Sequence, residues 1–281
     1  MSTYFVASLW RYPVKSMAGE ELLDSVDVTA RGLRGDRAYA LVDTAHGKVG
    51  SAKSVRKFGD LLKCRAQFVR PPGSGDRVPA VQITLPDGSV VDSGQPDSDA
   101  KLNAAFGPHV SLVSAAPDGL MLEFDAGTLG GKHAETTALP VSSAAPSGTL
   151  FDYASVHIIT TATLRRLKEA YPAGQITIQR FRPNIVVDCP DETGFAENSW
   201  PGRTLTVGAE LVLRVSIPCP RCVIVTLPQG DLPHDPRILR TLADQNRLDL
   251  GDFGHLPCAG VYADVVQPGS IRRGDRVQLG D

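Results

Sequence analysis

The chain has 281 residues and a mass of 29.9 kDa, a length that fits one large domain or two modest ones. Hydrophobic residues make up 42% and charged residues 21%, which is ordinary globular usage and excludes a disordered, collagenous or coiled-coil chain. The net charge of −2 and a pI near 6.3 exclude the strongly basic surface that is typical of nucleic-acid-binding proteins.

Targeting signals and cysteine usage bear on where the protein works. The sequence has no apolar run of about 18 residues, so we expect no transmembrane helix. The N-terminus lacks a basic region followed by a long apolar segment, so we expect no signal peptide. Five cysteines are an odd and sparse set, which indicates a reducing compartment rather than a disulfide framework. We therefore expect a cytoplasmic protein with no membrane or nucleic-acid partner.

The first third of the sequence predicts short strands and one helix. The turn Pro86-Asp87-Gly88 predicts a hairpin. Asp97 can begin a helix that Gly107 ends, because the apolar residues between them repeat at helical spacing. We predict strands in residues 4–10, 37–42, 80–85, 89–92 and 110–113.

Residues 115–148 have a different composition, in which Gly, Ala, Ser and Pro dominate. Such a stretch indicates a linker, a mobile surface loop or a loop that a ligand orders. A linker places a domain boundary near residue 118, and we predict two domains, residues 1–118 and residues 119–281.

The last part of the sequence is again rich in strands, with two helices. Thr160 or Thr161 can cap a helix that stops at Pro172, and Asp235-Pro236 opens the second helix. We predict strands that start at Ile176, Thr204, Leu211, Val223, Val261 and Arg276. Many short strands and few helices predict a mainly β fold, with a closed or nearly closed barrel.

The segment Pro218-Cys219-Pro220-Arg221-Cys222 is the sharpest chemical feature. A thiolate next to Arg221 would have a lowered pKa and be a better nucleophile or metal ligand. The two cysteines are otherwise ordinary turn residues, or half of a zinc site that Cys189, Cys258 or His255 would have to complete. The third alternative is a thiolate that binds a soft metal or attacks sulfur.

Two segments of the first third carry clustered cations. Lys15 and Ser16 follow the turn at Tyr12-Pro13, and a lysine beside a hydroxyl suits a phosphate group. The segment from Arg31 to Arg37 holds three arginines and two glycines, and such a combination lets backbone and guanidinium approach an anion. Taken alone, each segment is more typical of an exposed loop than of an anion site.

Polar residues also flank apolar strands in the second half. Arg182 and Asn184 stand at the start of a predicted strand, a position from which they could orient a ligand. Asp152 could bind a ligand rich in hydrogen-bond donors, whereas His157 lies in an apolar run and is interpreted as a core histidine. The sequence has no GxGxxG, Walker, HExxH or GxSxG motif, so the ordinary nucleotide, metalloprotease and α/β-hydrolase functions have no support.

Six segments follow one another along the chain: LWRYPVKSMAG, RGLRGDRAYALVD, RFRPNIVVD, FAENSWPGRTLTVG, PCPRCVIVT and GVYADVVQPGSIRRGD. Taken in this order, they resemble the MOSC family, named after the C-terminal domain of molybdenum cofactor sulfurase. The resemblance covers nearly the whole chain and includes the N-terminal β-barrel module of the mitochondrial amidoxime-reducing proteins and their bacterial relatives.

The resemblance implies a MOSC β-barrel plus a smaller N-terminal β-barrel module, and a molybdenum cofactor (Mo-molybdopterin). It implies that Cys222 binds the metal and is the catalytic residue. The residues implied to bind the cofactor are Lys15, Ser16, Arg37, Asp152, Arg182, Asn184, Pro220, Arg221 and Tyr262. Ser51-Ala52-Lys53-Ser54 departs from the Thr-Ala-Arg-Gln of many relatives.

The leading hypothesis is a molybdenum-dependent oxidoreductase that reduces small N-oxygenated compounds, such as N-hydroxylated amidines. The cysteines lack an iron–sulfur spacing, so electrons would come from a separate protein of the ferredoxin, flavoprotein or cytochrome type. One alternative is a persulfide carrier with Cys222 as the attacking thiolate and Cys219 as its resolving partner. A further alternative is a carrier protein for the molybdenum cofactor.

Overall fold

The computed structural model describes residues 4–75, 77–116, 120–125, 136–140 and 145–281. The strands are β1 Tyr4–Arg11, β2 Glu20–Leu22, β3 Val26–Thr29, β4 Gly32–Leu33, β5 Ala40–Asp43, β6 Lys48–Val49, β7 Arg65–Phe68, β8 Val81–Thr84, β9 Val90–Asp92, β10 Val110–Val113, β11 Met121–Asp125, β12 Thr136–Pro140, β13 Val156–Thr160, β14 Ile185–Asp188, β15 Thr204–Val207, β16 Leu211–Pro220, β17 Arg247–Asp249, β18 His255–Gln267, β19 Gly269–Ile271 and β20 Arg276–Leu279. The α-helices are α1 Val55–Phe58, α2 Ser98–Phe106, α3 Thr161–Ala170, α4 Ile178–Phe181 and α5 Arg237–Gln245.

The largest sheet closes into a barrel of seven strands. Its order is β13-β14-β1-β20-β15-β16-β18, and β18 pairs again with β13 to complete the ring. The N-terminal strand β1 lies between β14 and β20, which come from the second half of the chain. Apolar side chains such as Leu9, Val156 and Leu213 fill the interior, and full closure leaves this sheet no unpaired edge within the ring. The protein is therefore mainly β, as predicted.

Smaller sheets and a second core lie between β2 and β12. β10, β5, β6, β11 and β12 form one sheet, and β7, β8 and β9 form another. Their shared core holds Val14, Leu41, Ile83 and Leu102 at 0% exposure, and it is distinct from the barrel core. The split into residues 1–118 and 119–281 stays a prediction, while β1 belongs to the barrel formed by the second half.

The three longer helices confirm the predicted starts and stops. α2 begins after Asp97 and ends before Gly107. Thr160 caps α3 by accepting a hydrogen bond from the Thr163 amide at 3.1 Å, which satisfies one of the free N–H groups of the first turn. α5 follows Pro236 and buries its apolar face. No helix in the described ranges is long and apolar enough to cross a membrane.

Two predicted strands and one predicted turn are wrong. Residues Val223–Thr226 form a 3-10 helix, because their apolar side chains pack into small clusters rather than along a sheet. The segment after Ile176 forms α4, and the strand β14 starts only at Ile185. Cys219 and Pro220 are the last residues of β16 rather than part of a tight turn.

Candidate functional site

A cavity of about 460 Å³ opens where the barrel meets the smaller sheets. That volume falls in the range of pockets that hold cofactors and small molecules. All ten residues that the sequence singled out line it: Lys15, Ser16, Arg37, Asp152, Arg182, Asn184, Pro220, Arg221, Cys222 and Tyr262. Segments far apart in the sequence therefore share one cavity, whereas the roles of these residues stay predictions.

Positive charge dominates the wall of this cavity. Five cationic side chains line it, against one carboxylate among the described lining residues. The cations are Lys15, Arg37, Lys53, Arg182 and Arg221. An excess of guanidinium and ammonium groups in one cavity of a slightly acidic protein favours an anionic ligand.

Asp152 holds two of these cations at one end of the cavity. Its carboxylate forms ion pairs with Lys15 and with Lys53, the latter at 2.9 Å. Lys15 also donates to the Leu150 carbonyl at 2.7 Å. Burial would raise the pKa of Asp152, but the two ammonium groups outweigh burial and hold that pKa well below its usual range. About a third of the Asp152 side chain is exposed, so water screens part of this attraction.

Ser16 connects this cluster to the segment that carries Lys53. The Ser16 hydroxyl accepts a hydrogen bond from the Ala52 amide at 3.1 Å. Ala52 packs in a small apolar cluster with Leu227 and Ile224, close to the residue that follows Cys222. Burial lowers the pKa of Lys53, but Asp152, Cys222 and Cys219 together raise it above its ordinary value, so this lysine keeps its charge. Sequence reasoning missed Lys53 as a site residue, although it noted the departure in this segment.

Two arginines lie against one buried tyrosine on another side of the cavity. The guanidinium carbons of Arg37 and Arg182 each lie 4.4 Å from the ring centre of Tyr12. Tyr12 is 2% exposed, and its hydroxyl donates to the Pro183 carbonyl at 3.1 Å. Burial lowers the pKa of Arg182 to about 10, so its guanidinium stays charged at neutral pH.

The buried carboxylate of Asp36 holds Arg37 and Tyr12 in place. Its carboxylate accepts hydrogen bonds from Arg37, from the Tyr12 amide at 2.8 Å and from the Asn184 side chain at 2.9 Å. Asn184 in turn accepts from the His157 amide at 3.0 Å. The Asn184 side chain thus connects the His157 backbone to the Asp36 carboxylate within the cavity wall.

Backbone strain is concentrated around the cavity. Within the described residues, four non-glycine residues have a positive φ, and three of them are Ser16, Arg37 and Arg182. This left-handed conformation costs about 1–3 kcal/mol per residue and persists only where the surroundings enforce it. Such residues cluster at functional sites, which agrees with the predicted site.

The two cysteines of the PCPRC segment have different surroundings. Cys219 is buried, whereas Cys222 is half-buried and lines the cavity. Burial raises the pKa of Cys219, but the guanidinium of Arg221, 2.9 Å from its sulfur, and the His157 ring lower that pKa to about 6. Burial and the Cys219 thiolate both raise the pKa of Tyr262 well above its ordinary value.

His157 and Gly260 shape this end of the cavity. His157 is 5% exposed, as expected for a core histidine, but its ring also lines the cavity and contacts Tyr262 at a centroid distance of 5.8 Å. Gly260 has φ +81°, and a Cβ there would lie 2.3 Å from His157 Nε2. The glycine of the GVY segment therefore makes room for the imidazole.

The residues proposed for a zinc site do not meet here. Cys189 is buried in the barrel core and Cys258 is buried on β18 opposite Pro220, and burial raises the pKa of each thiol to about 12. His255 is exposed. None of the three is among the described residues that line the cavity.

Two regions of the chain match known protein domains. Residues 146–278 match the MOSC domain, and residues 3–74 match the MOSC N-terminal beta barrel domain. The chain therefore belongs to the MOSC-domain family, as its sequence motifs and mainly β fold indicated.

The individual relatives are distant. The chain is 26% identical to human mitochondrial amidoxime reducing component 2 over 97% of this chain and 82% of that protein. It is 25% identical to mouse mitochondrial amidoxime-reducing component 1 over 98% of this chain and 82% of that protein.

Solved structures share less with the chain. The YuaD protein from Bacillus subtilis is 13% identical with a TM-score of 0.43, over 99% of this chain and 95% of that one. YiiM from Geobacillus stearothermophilus is 20% identical with a TM-score of 0.31, over 46% of this chain and 55% of that one.

Proposed function

We propose that this protein is a molybdenum-cofactor-dependent oxidoreductase that reduces small N-oxygenated compounds. One observation carries the proposal: a half-buried cysteine, Cys222, lines a cavity whose wall holds five cationic side chains. The names of the relatives, amidoxime-reducing components, support the same class of reaction.

The residues of the cavity fit a pterin that carries a dithiolene and a terminal phosphate. A thiolate sulfur is a donor that soft metals favour, so Cys222 suits the metal. Lys15, Arg37 and Arg182 supply charge for the phosphate, and the rings of Phe151 and Tyr153 add flat apolar wall. The Nε of Arg221 is buried and has no hydrogen-bond partner among the residues that the structure describes, which leaves one donor for a ligand beside Cys222.

Different side chains of the cavity would have different roles in the reaction. When bound, the cofactor supplies the two electrons that the reduction of an N–O bond requires. Cys222 holds the cofactor, while the Tyr12-supported arginines orient its anionic end. Lys53 keeps its charge in the cavity wall and would donate a hydrogen bond to the oxygen of the substrate, while solvent would supply the two protons that the reduction consumes. A separate electron-transfer protein and cytoplasmic location complete the proposal.

The test is the Cys222→Ser variant, produced in a host that makes the cofactor. The wild type should bind about one molybdenum per chain and reduce an N-hydroxylated amidine with an artificial reductant. The variant should lose turnover. Cys64→Ala is the matched control, because Cys64 is buried in the other core and outside the cavity lining. Retained molybdenum with full turnover in Cys222→Ser contradicts the proposal.

Two alternative functions, sulfur transfer and cofactor carriage, predict different measurable results. The lowered pKa of Cys219 favours a thiolate at neutral pH, which sulfur transfer would use. That alternative expects a stable persulfide on Cys222, seen by mass spectrometry after incubation with a cysteine desulfurase and without bound pterin. A cofactor carrier expects bound molybdenum without turnover.

A further inference from the structure

A second, smaller cavity lies beside the first and is lined by arginines. Its volume is about 240 Å³, and it shares Arg37 and Phe151 with the larger cavity. Its described lining comes from residues 29–38, 72–73, 77–79 and 148–151 and from Ser114. We call it the arginine cleft, after the four arginines that line it: Arg31, Arg34, Arg37 and Arg77.

The charges of the arginine cleft are mostly uncompensated. Asp36 is the single acid among its described lining residues, and the carboxylate of Asp36 is fully buried and paired with Arg37. Arg34 pairs with Asp27, whose side chain is 51% exposed, so solvent weakens that ion pair. Across the described ranges, no carboxylate forms an ion pair with Arg31 or Arg77.

Two of the arginines are held in place by neutral groups. Arg31 donates to the Ser147 carbonyl at 3.0 Å, and Arg34 donates to the Gly73 carbonyl at 3.3 Å. These contacts join residues 29–38 to Ser147 and Gly73 and orient both guanidinium groups, while Arg34 also keeps its exposed ion pair with Asp27. Because the side chains are already ordered, a ligand pays little conformational entropy to meet them.

We propose that the arginine cleft binds a small polyanion, of which a diphosphate group is the best match. Planar guanidinium groups prefer phosphate oxygens, which they contact in bidentate fashion. Arg31 and Arg77 have no carboxylate partner in the described ranges and Arg34 is only weakly paired, so the cleft offers about three positive charges, more than the two or fewer negative charges of a single phosphate. The volume is below the roughly 300 Å³ at which pockets for drug-sized ligands begin, which favours the diphosphate group itself over a whole enclosed nucleotide.

Shared walls give the arginine cleft a connection to the larger cavity. Arg37 lines both cavities, and its guanidinium group stacks on the ring of Tyr12. An anion in the arginine cleft would therefore contact a side chain that also forms part of the larger cavity. The diphosphate is free inorganic diphosphate or the diphosphate group of a larger organic molecule that reaches out of the cleft. Both sources present the same phosphate oxygens to Arg31 and Arg77.

The test is isothermal titration of the purified full chain with inorganic diphosphate and, separately, with ADP. We expect wild-type binding with a dissociation constant below about 1 mM. The variants Arg31→Gln and Arg77→Gln remove exposed arginines that line only the smaller cavity, and each should weaken binding about tenfold. Tighter binding of ADP indicates an organic diphosphate, and tighter binding of inorganic diphosphate indicates the free ion.

A matched control and two contrary outcomes complete the experiment. Arg214→Gln removes an exposed arginine that also donates to one backbone carbonyl, Gly202 at 2.9 Å, but lies on β16 away from the cleft. It should bind as the wild type does. Absence of binding up to about 10 mM for both probes overturns the proposal, as does equal binding by wild type, Arg31→Gln and Arg77→Gln. Neither variant touches Cys222, so N-reduction by them is a separate readout of the proposed function.

Discussion

Replacing Tyr12 by leucine should destabilise the protein much more than replacing it by phenylalanine. Phenylalanine keeps the ring between the arginines and loses only the hydrogen bond to the Pro183 carbonyl. That bond is buried, so its loss costs about 1 kcal/mol of the free energy of unfolding. Leucine also loses the contacts of Arg37 and Arg182 with the ring, both at 4.4 Å.

Each guanidinium–ring contact is worth about 1 kcal/mol when it is partly desolvated, as these are. Tyr12→Leu should therefore lower the free energy of unfolding by about 3 kcal/mol, against about 1 kcal/mol for Tyr12→Phe. Urea unfolding followed by tryptophan fluorescence measures both values. Under the proposed function the leucine variant should also hold less molybdenum, because the Tyr12 ring supports two arginines that are proposed to bind the cofactor. Equal destabilisation by the two variants would refute the reasoning, since it would mean that the ring does not support the arginines.

Two further predictions concern the ends of the cavity. Asp152→Asn leaves Lys15, which is 4% exposed, without its counter-charge, so the free energy of unfolding at pH 7 should fall by about 2 kcal/mol. Because folding lowers the pKa of Asp152, the wild type should be more stable than the variant by the full amount above about pH 5, and by less below about pH 4. Urea unfolding midpoints of both proteins at several pH values measure this difference. A difference that stays constant down to about pH 3 would speak against the ion pairs. Gly260→Ala should displace the His157 ring and cost about 3 kcal/mol or more in thermal unfolding, and a variant as stable as the wild type would contradict the close approach.

The fold was predictable where local signals are strong. Thr160 and Gly107 mark helix ends because capping and left-handed backbone are local properties of these residues. Residues 223–226 are apolar and β-branched, which predicts a strand, but their packing against α4 and α5 imposes a 3-10 helix instead. Periodicity cannot see such tertiary contacts, and the same limit applies to the pairing of β1 with β14.

The lining of the candidate site followed from motifs, whereas its supporting contacts did not. Lys15, Arg182 and Cys222 stand in short segments with recognisable spacing, so the sequence could single them out. Lys53 gave no comparable signal, because its position depends on a backbone hydrogen bond to Ser16. The charge of Cys219 depends in the same way on Arg221 and on a distant histidine.

The place of β1 in the barrel has a consequence for biosynthesis. This strand is synthesised well before both of its neighbours, β14 and β20, which lie more than 170 residues downstream. The ring can close only after translation of Val277, near the end of the chain. Lys15 and Ser16 follow β1 directly, so the same late event that seals the barrel carries them to Cys222. A nascent chain without β20 would thus be unable to present the complete cavity, and any ligand of that cavity would bind only after β20 has been made.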